Sequence, residues 1–281
     1  MKYLSTVLRL FSEAKKYSLS IGVGRWTITR TLLSLYLRSK FSDKEKRVVS
    51  HNIHGFTVYS YTYPTMIQLY DEIFLRQVYR CDFMPHAPFI IDCGANIGMA
   101  VLYFKRRYPK STIWAFEPNP AAFELLRMNI EGNQITGVQL LPYALSNIEG
   151  PIDFYLPEKK GSLNGSTINH HDSGITIKVE GKKLSAWLPE HDIDILKIDV
   201  EGDEEKIIQD LIENNLLKKI KEIVVEYHVN DTTASLASFI GNLKREQFEL
   251  TGGSAQRYDN LQQTTILHFK RVETSGGQPP E

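Results

Sequence analysis

Four groups of residues in this 281-residue chain have types and spacings suited to chemistry. The first is Asp92-Cys93-Gly94-Ala95-Asn96-Ile97-Gly98, an acid closing an apolar run and followed by a turn of small residues. Small residues let the backbone approach a ligand closely, and the free amides at the start of the next helix favour negative charge. The spacing is G-x-x-x-G, which lacks the G-x-G-x-x-G of dinucleotide sites and the Gly-Lys-Ser/Thr of triphosphate sites. The second group, Glu117-Pro118-Asn119, follows the next apolar run, Thr112 to Phe116. An acid placed about 20 positions beyond a glycine turn, at the end of a neighbouring strand, can accept hydrogen bonds from two ribose hydroxyls. Together the two groups predict a nucleoside ligand. The plainer alternative is a tight connection and a surface carboxylate with no ligand.

The third group is Ile193 to Gly202, where Lys197, Asp199 and Glu201 alternate on a largely apolar stretch. A parallel strand covered on both faces is nearly all apolar, so these charges need a reason. Asp199 and Glu201 fall at its carboxyl end, where open α/β sheets place their ligands. The fourth group, Val224-Val225-Glu226-Tyr227-His228, closes the following run. If the two strands are neighbours, His228 and Asp199 approach one crevice, and a histidine beside a carboxylate can accept a proton from an alcohol. His228 and Asp199 are therefore the catalytic candidates, with a structural histidine as the alternative. Asp199, Glu201, Glu226 and His228 also offer oxygen and nitrogen ligands for a divalent cation, a second reading of the same residues. Tyr143 to Asn147 reads equally as the edge of an adenine site or as a turn.

Short apolar runs alternating with amphipathic stretches must position these groups, which is the pattern of a parallel sheet with helices on both faces. Strands are expected at 89–93, 112–116, 138–144, 193–200, 220–227, 248–251 and 264–271, and helices at 98–108, 120–131, 204–214 and 234–245. Residues 147–188 read as a hairpin-like interruption around the polar loop 161–167. Before the sheet, residues 1–40 read as two helices split at Gly22 to Gly24, followed by a short strand at 56–61 and a helix at 65–79. The expected organisation is a cap region over 1–80, a catalytic domain over 81–273 and a disordered tail over 274–281.

Balanced charge, with 33 basic and 33 acidic residues, and the lack of a Lys/Arg-rich groove argue against nucleic acid as a partner. Cys81 and Cys93 have no metal-ligand spacing and fit a reducing, cytoplasmic setting. No apolar run is long enough for a transmembrane segment. Leu4, Val7, Leu8, Leu10 and Phe11 fall at helical spacing, which leaves a peripheral membrane contact open beside a plain packing helix. The oligomeric state is not set by the sequence.

The ordered blocks Asp92 to Gly98, Ala115 to Pro120, Ala144-Leu145-Ser146, Leu196 to Gly202 and Glu226-Tyr227-His228 resemble the FkbM family of S-adenosylmethionine (SAM)-dependent methyltransferases, over roughly residues 70–250. The resemblance implies a doubly wound, seven-stranded Rossmann-like sheet with its last strand antiparallel, and methyl transfer to a hydroxyl of a sugar, glycan or natural product. By position it implies that Asp92, Gly94, Ala95, Asn96 and Gly98 hold the methionine part of SAM. Glu117 would hold the ribose; Asn119, Ala144 and Leu145 would surround the adenine; Pro118 would also belong to the cofactor site; Asp199 would face the reacting end. The pattern departs at Lys183-Leu184-Ser185-Ala186, where an acidic pair is usual. Two rival functions share the glycine turn and ribose acid: an NAD(P)-dependent oxidoreductase, and a SAM-binding partner protein without catalysis. Enlarging Gly94 is expected to abolish SAM binding and leave the fold largely intact.

Overall fold

Burial decides which runs become strands. The apolar stretches Phe89–Cys93 (β3) and Ile193–Ile198 (β9) are buried at every position, as parallel strands covered on both faces must be. Each fully buried Ile or Leu in them contributes about 1.5–3 kcal/mol. The computed structural model describes residues 12, 14–20, 22–41, 48–82, 84–157, 165–167, 174–228, 236–258 and 262–272.

In chain order the elements are α1 (Arg25–Phe41), β1 (Val49–Ile53), β2 (Phe56–Ser60), α2 (Tyr63–Leu69), β3, α3 (Met99–Arg107), β4 (Thr112–Phe116), α4 (Pro120–Glu131), β5 (Val138–Leu141), β6 (Ala144–Leu145), β7 (Gly150–Pro157), β8 (Gly174–Lys182), β9, α5 (Glu204–Glu213), β10 (Ile220–His228), α6 (Leu236–Arg245), β11 (Phe248–Tyr258) and β12 (Gln262–Arg271). The main sheet has the order β11-β12-β10-β9-β3-β4-β5. Neighbours from β10 to β5 run parallel, and the last strand, β12, runs antiparallel to both β10 and β11. This is the expected seven-stranded mixed sheet. The order places the carboxyl ends of β3, β4, β9 and β10 side by side.

Local chemistry sets the helix starts. Asn119 caps α4 by accepting from the Ala121 amide at 3.0 Å, and Pro120 occupies its first turn, where a missing N–H costs nothing. The last turn of α3 carries Lys105, Arg106 and Arg107, favourable charges for a helix carboxyl end.

Several expectations are corrected. The run 138–144 divides, because β5 stays in the main sheet while β6 joins β7 and β8 in a separate three-stranded sheet. The hairpin expected at 147–188 is β7 and β8, paired from Gly150↔Gly181 to Pro157↔Gly174; residues 161–164 of its loop lie outside the described residues. The helix expected at 65–79 ends earlier: α2 passes into a π-helical turn, Tyr70–Leu75, and Tyr79 lies beyond it in a turn closed by the Arg80 amide donating to Gln77 O at 2.9 Å. Strand β1, which pairs with β2, was not expected, since Ser50-His51-Asn52 interrupts the apolar signal. The first of the two amino-terminal helices and the tail 274–281 fall mostly or wholly outside the described residues.

The amino-terminal elements share one hydrophobic core with the catalytic sheet, from Ile28, Leu32 and Leu35 of α1 through Met66 and Tyr70 to Leu102 of α3 and Leu126 of α4. Asn129 of α4 ties them to the glycine turn. It donates to Ile97 O at 2.7 Å and Tyr59 O at 3.0 Å, and accepts from Tyr59 N at 2.7 Å. Among the described residues no helix is long and apolar enough to cross a membrane.

Candidate active site

The glycine turn leaves β3 with Gly94, Asn96 and Gly98 at φ of +83°, +51° and +86°, left-handed conformations that glycine and asparagine tolerate best. The Gly94 and Ala95 amides both donate to Phe116 O, at 3.0 and 2.8 Å. A Cβ on Gly94 would fall 1.7 Å from the Asp199 carbonyl oxygen. The expectation that Gly94→Val spares the fold is therefore corrected, because the added atoms would push the turn away from β9. Glycine is required here by backbone packing as well as by ligand access.

Lys197 of β9 explains one of the charges on that strand. Its Nζ lies 2.8 Å from Asp92 Oδ1, 2.9 Å from Gly94 O and 3.5 Å from Asp199 Oδ2. Burial alone would lower the Lys197 pKa, but Asp92 and Asp199 more than offset it and keep the ammonium charged. Asp92 is fully buried, so removing either partner leaves an uncompensated charge at a cost of about 3–5 kcal/mol.

Glu117 is buried at the end of β4 and accepts from the Asn96 amide at 2.8 Å and the Asn119 amide at 2.8 Å. Burial lifts its pKa to about 7 against the pull of these two amides. The carboxylate keeps lone pairs for further donors. Tyr61, between β2 and α2, stands close enough for the Glu117 charge, after burial, to push its hydroxyl up to about 12.

One crevice joins these groups. It is lined by Gly94, Asn96, Glu117, Pro118, Ala144, Leu145 and Asp199, all anticipated from sequence, and by Phe116, Tyr143, Phe154, Gly165, Thr167, Val200 and Glu201. Asp92, Ala95, Gly98 and Asn119 do not line it; they support the lining residues through the Lys197 pair, the glycine turn and the starts of α3 and α4. The insertion covers one side. Ser166 donates from Oγ to Glu201 O at 2.6 Å and pairs with Tyr155 through two backbone bonds of 2.7 and 3.0 Å.

Behind Asp199 lies a dense charge cluster. The Tyr79 hydroxyl is 3.0 Å from Asp199 Oδ2 and 3.3 Å from Glu226 Oε2. His228 Nε2 lies 3.3 Å from Glu201 Oε2, and Nδ1 lies 3.0 Å from Glu204 Oε1. The same Glu204 oxygen accepts from the Gly202 amide at 2.9 Å. Burial would lower the His228 pKa, but Glu201 and Glu204 hold it well above the ordinary value. A charged imidazole with both nitrogens on carboxylates has no lone pair for an incoming proton, which argues against His228 as the base. Burial and then Asp199 lift Glu226 to about 8, and burial lifts Glu201 to about 7.

Of the four residues read as cation ligands, Asp199, Glu226 and His228 present ligand atoms within 4.8 Å of one another. Lys197 and the His228 imidazolium already supply positive charge there.

Tyr79, Tyr61, Phe154 and Thr167 were not singled out individually from sequence. Tyr79 is held by partners 120 and 147 positions away, a separation that no local pattern reports. At Lys183 to Ala186, the departure from the family pattern, Ser185 donates from N and Oγ to Asp210 of α5 at 2.8 and 2.7 Å, so an acid is supplied from the neighbouring helix.

The Methyltransferase FkbM domain family matches residues 92–250. The chain belongs to the FkbM methyltransferase family. Methyltransferase sdnD of Sordaria araneosa is 32% identical over 190 residues, covering 56% of this chain and 73% of that protein. 31-O-demethyl-FK506 methyltransferase FkbM of Streptomyces tacrolimicus is 28% identical over 242 residues, or 74% of this chain and 90% of that protein. The 2-O-methyltransferase NoeI of Sinorhizobium fredii is 31% identical over 157 residues, or 50% of this chain and 63% of that protein. This FkbM-family protein is a SAM-dependent methyltransferase, and neither the dinucleotide oxidoreductase nor the non-catalytic reading is supported.

The donor set fits SAM. A buried carboxylate, Glu117, lines the crevice with the apolar Phe116, Ala144 and Leu145, and a second carboxylate, Asp199, lines it as well. Hydroxyls of a ribose suit the first, an adenine suits the apolar side chains, and a sulfonium suits a carboxylate.

Proposed function

We propose that this FkbM-family enzyme methylates a hydroxyl oxygen of a sugar, a glycan or a comparable hydroxylated small molecule. The observation that carries the reading is that Asp199 and Glu201 line the same crevice as Glu117, together with Gly165 and Thr167 of the β7–β8 insertion. A 2-O-methyltransferase among the relatives supports oxygen as the atom modified.

In this reading Glu117 binds the ribose hydroxyls, Asn96 and Gly94 shape the methionine end, and Ala144 and Leu145 flank the adenine. SAM supplies an electrophilic methyl on its sulfonium. Alignment of a reacting oxygen contributes about 7–11 kcal/mol at best, whereas a general base contributes about 100- to 10,000-fold. Positioning outweighs the base. Asp199 accepts the proton of the acceptor hydroxyl, Tyr79 orients that carboxylate, and Lys197 keeps it attached to the glycine turn. His228, as an imidazolium, holds Glu201 and Glu204 in place. The β7–β8 insertion excludes water from the reacting end. The amino-terminal region acts as part of the enzyme, because Tyr79 and Tyr61 reach the site from it.

Incubating the full chain with SAM carrying an isotopic methyl label and a panel of mono- and oligosaccharides tests the proposal. Label recovered as a base-stable ether on a hydroxyl supports it. Label found only on nitrogen or carboxylate acceptors contradicts it.

A further inference from the structure

Helix α1 has two apolar faces. Ile28, Leu32 and Leu35 are buried against the core. With 3.6 residues per turn, positions 26, 30, 33, 37, 40 and 41 lie together on the opposite side. There Trp26 is 60% exposed, Leu37 42% and Phe41 77%. Large apolar groups gathered on an outward face, rather than scattered, mark an interaction surface.

Charge decides the kind of partner. Residues 1–47 contain 11 Lys and Arg against 3 Asp and Glu, a surplus of eight positive charges in a chain whose net charge is zero. Residues 14–41 contain six basic residues and no acidic one. Basic groups sit directly against the aromatic rings of α1, with the Arg25 guanidinium 5.7 Å from the Trp26 ring centroid and the Lys40 ammonium 5.8 Å from that of Tyr36. Aromatic and aliphatic side chains that would enter the headgroup region therefore alternate with cations that would meet phosphates.

We infer that the outward face of α1 docks on an anionic lipid bilayer surface. A second copy of the chain is a poorer occupant, since pairing this face with itself brings like charges together. A nucleic-acid backbone leaves Leu37 and Phe41 without partners. Each Lys or Arg near an anionic surface strengthens binding about fivefold, so the cationic stripe and the apolar residues act together. The docking does not depend on which acceptor the enzyme methylates.

Co-sedimentation of the full chain with extruded vesicles tests the inference, using phosphatidylcholine alone and phosphatidylcholine mixed with phosphatidylglycerol, at low and high salt. Two surface variants accompany the wild type, Trp26→Ser/Phe41→Ser and Arg30→Gln/Lys40→Gln, each checked for unaltered thermal stabilisation by SAM. The expected result is binding to the anionic vesicles only, weakened by salt, and weakened about tenfold or more in each variant. Absence of binding to anionic vesicles overturns the inference. So does binding unchanged in both variants. A wild-type dimer in analytical ultracentrifugation that Trp26→Ser/Phe41→Ser disperses, without vesicle binding, overturns it in favour of a second copy.

Discussion

Tyr79 points its hydroxyl at Asp199 Oδ2 from 3.0 Å, across 120 positions of sequence. The contact couples the segment that leads into the sheet to a carboxylate that lines the cofactor crevice. Tyr79 is itself buried, with its hydroxyl held far above its ordinary pKa by burial and by the Asp199 and Glu226 carboxylates. It therefore acts as a fixed donor and not as an acid. Hydrogen bonds to charged groups are worth about 1.5–3 kcal/mol, so Tyr79→Phe is expected to lower kcat about 10- to 100-fold. SAM affinity should stay within about threefold, since Tyr79 itself does not line the crevice. Steady-state kinetics beside equilibrium SAM binding separate the two effects.

His228 offers a test of the proton's destination. With Nδ1 on Glu204 and Nε2 on Glu201, it is a positioning residue, and His228→Gln preserves one polar link. The expected result is a loss below about 100-fold in kcat with the shape of the pH–rate profile retained. Loss of the ionisation on the acidic limb in the variant would return His228 to the role of base.

The cation reading yields the opposite expectations for a chelator. Lys197 and the His228 imidazolium already face the carboxylates that a divalent ion would need, and burying more positive charge there gains little. Activity is expected to be unchanged after treatment with a strong chelator and dialysis. Loss of activity restored by a divalent salt would assign Asp199, Glu226 and His228 as ligands.

Stability of the SAM-free protein should depend on pH in a direction that the buried acids set. Glu117 and Glu201 are lifted to about 7 and Glu226 to about 8, from an ordinary 4.5, with burial the largest cause in each. The folded chain thus binds more protons than the unfolded chain across that window, so stability falls as pH rises through it. His228, also raised, adds a change of the same sign above its ordinary value of 6.5. Thermal melts at stepped pH should show the midpoint dropping from about pH 5 to about pH 8, and Glu226→Gln should flatten the upper part.

Much of the fold was legible because its signals are local. The buried runs at β3 and β9, the Asn119-Pro120 helix start and the left-handed glycines each leave a mark within a few residues. Glu117 was legible for the same reason, lying at the end of an apolar strand beyond the turn. The β6 segment was read as part of β5 because Leu140 to Ala144 stays apolar, while its departure depends on pairing with β8, 37 residues later at Gly181. The state of His228 was not legible either. It depends on Glu201 and Glu204, whose positions are fixed by a turn with Glu201 at φ +59° and Gly202 at φ +126°. Sequence placed the histidine beside carboxylates but not the number of carboxylates, and that number decides whether the ring is a base or a cation.

The central claim is that Glu117 anchors SAM in the crevice between β3, β4 and β9. Isothermal titration of SAM and of NAD into wild type and Glu117→Gln measures it directly. Wild type is expected to bind SAM and not NAD, and Glu117→Gln to weaken SAM about 10- to 100-fold, the worth of a charge-assisted ribose contact. Unchanged SAM affinity in Glu117→Gln, or NAD binding as tightly as SAM, would contradict it.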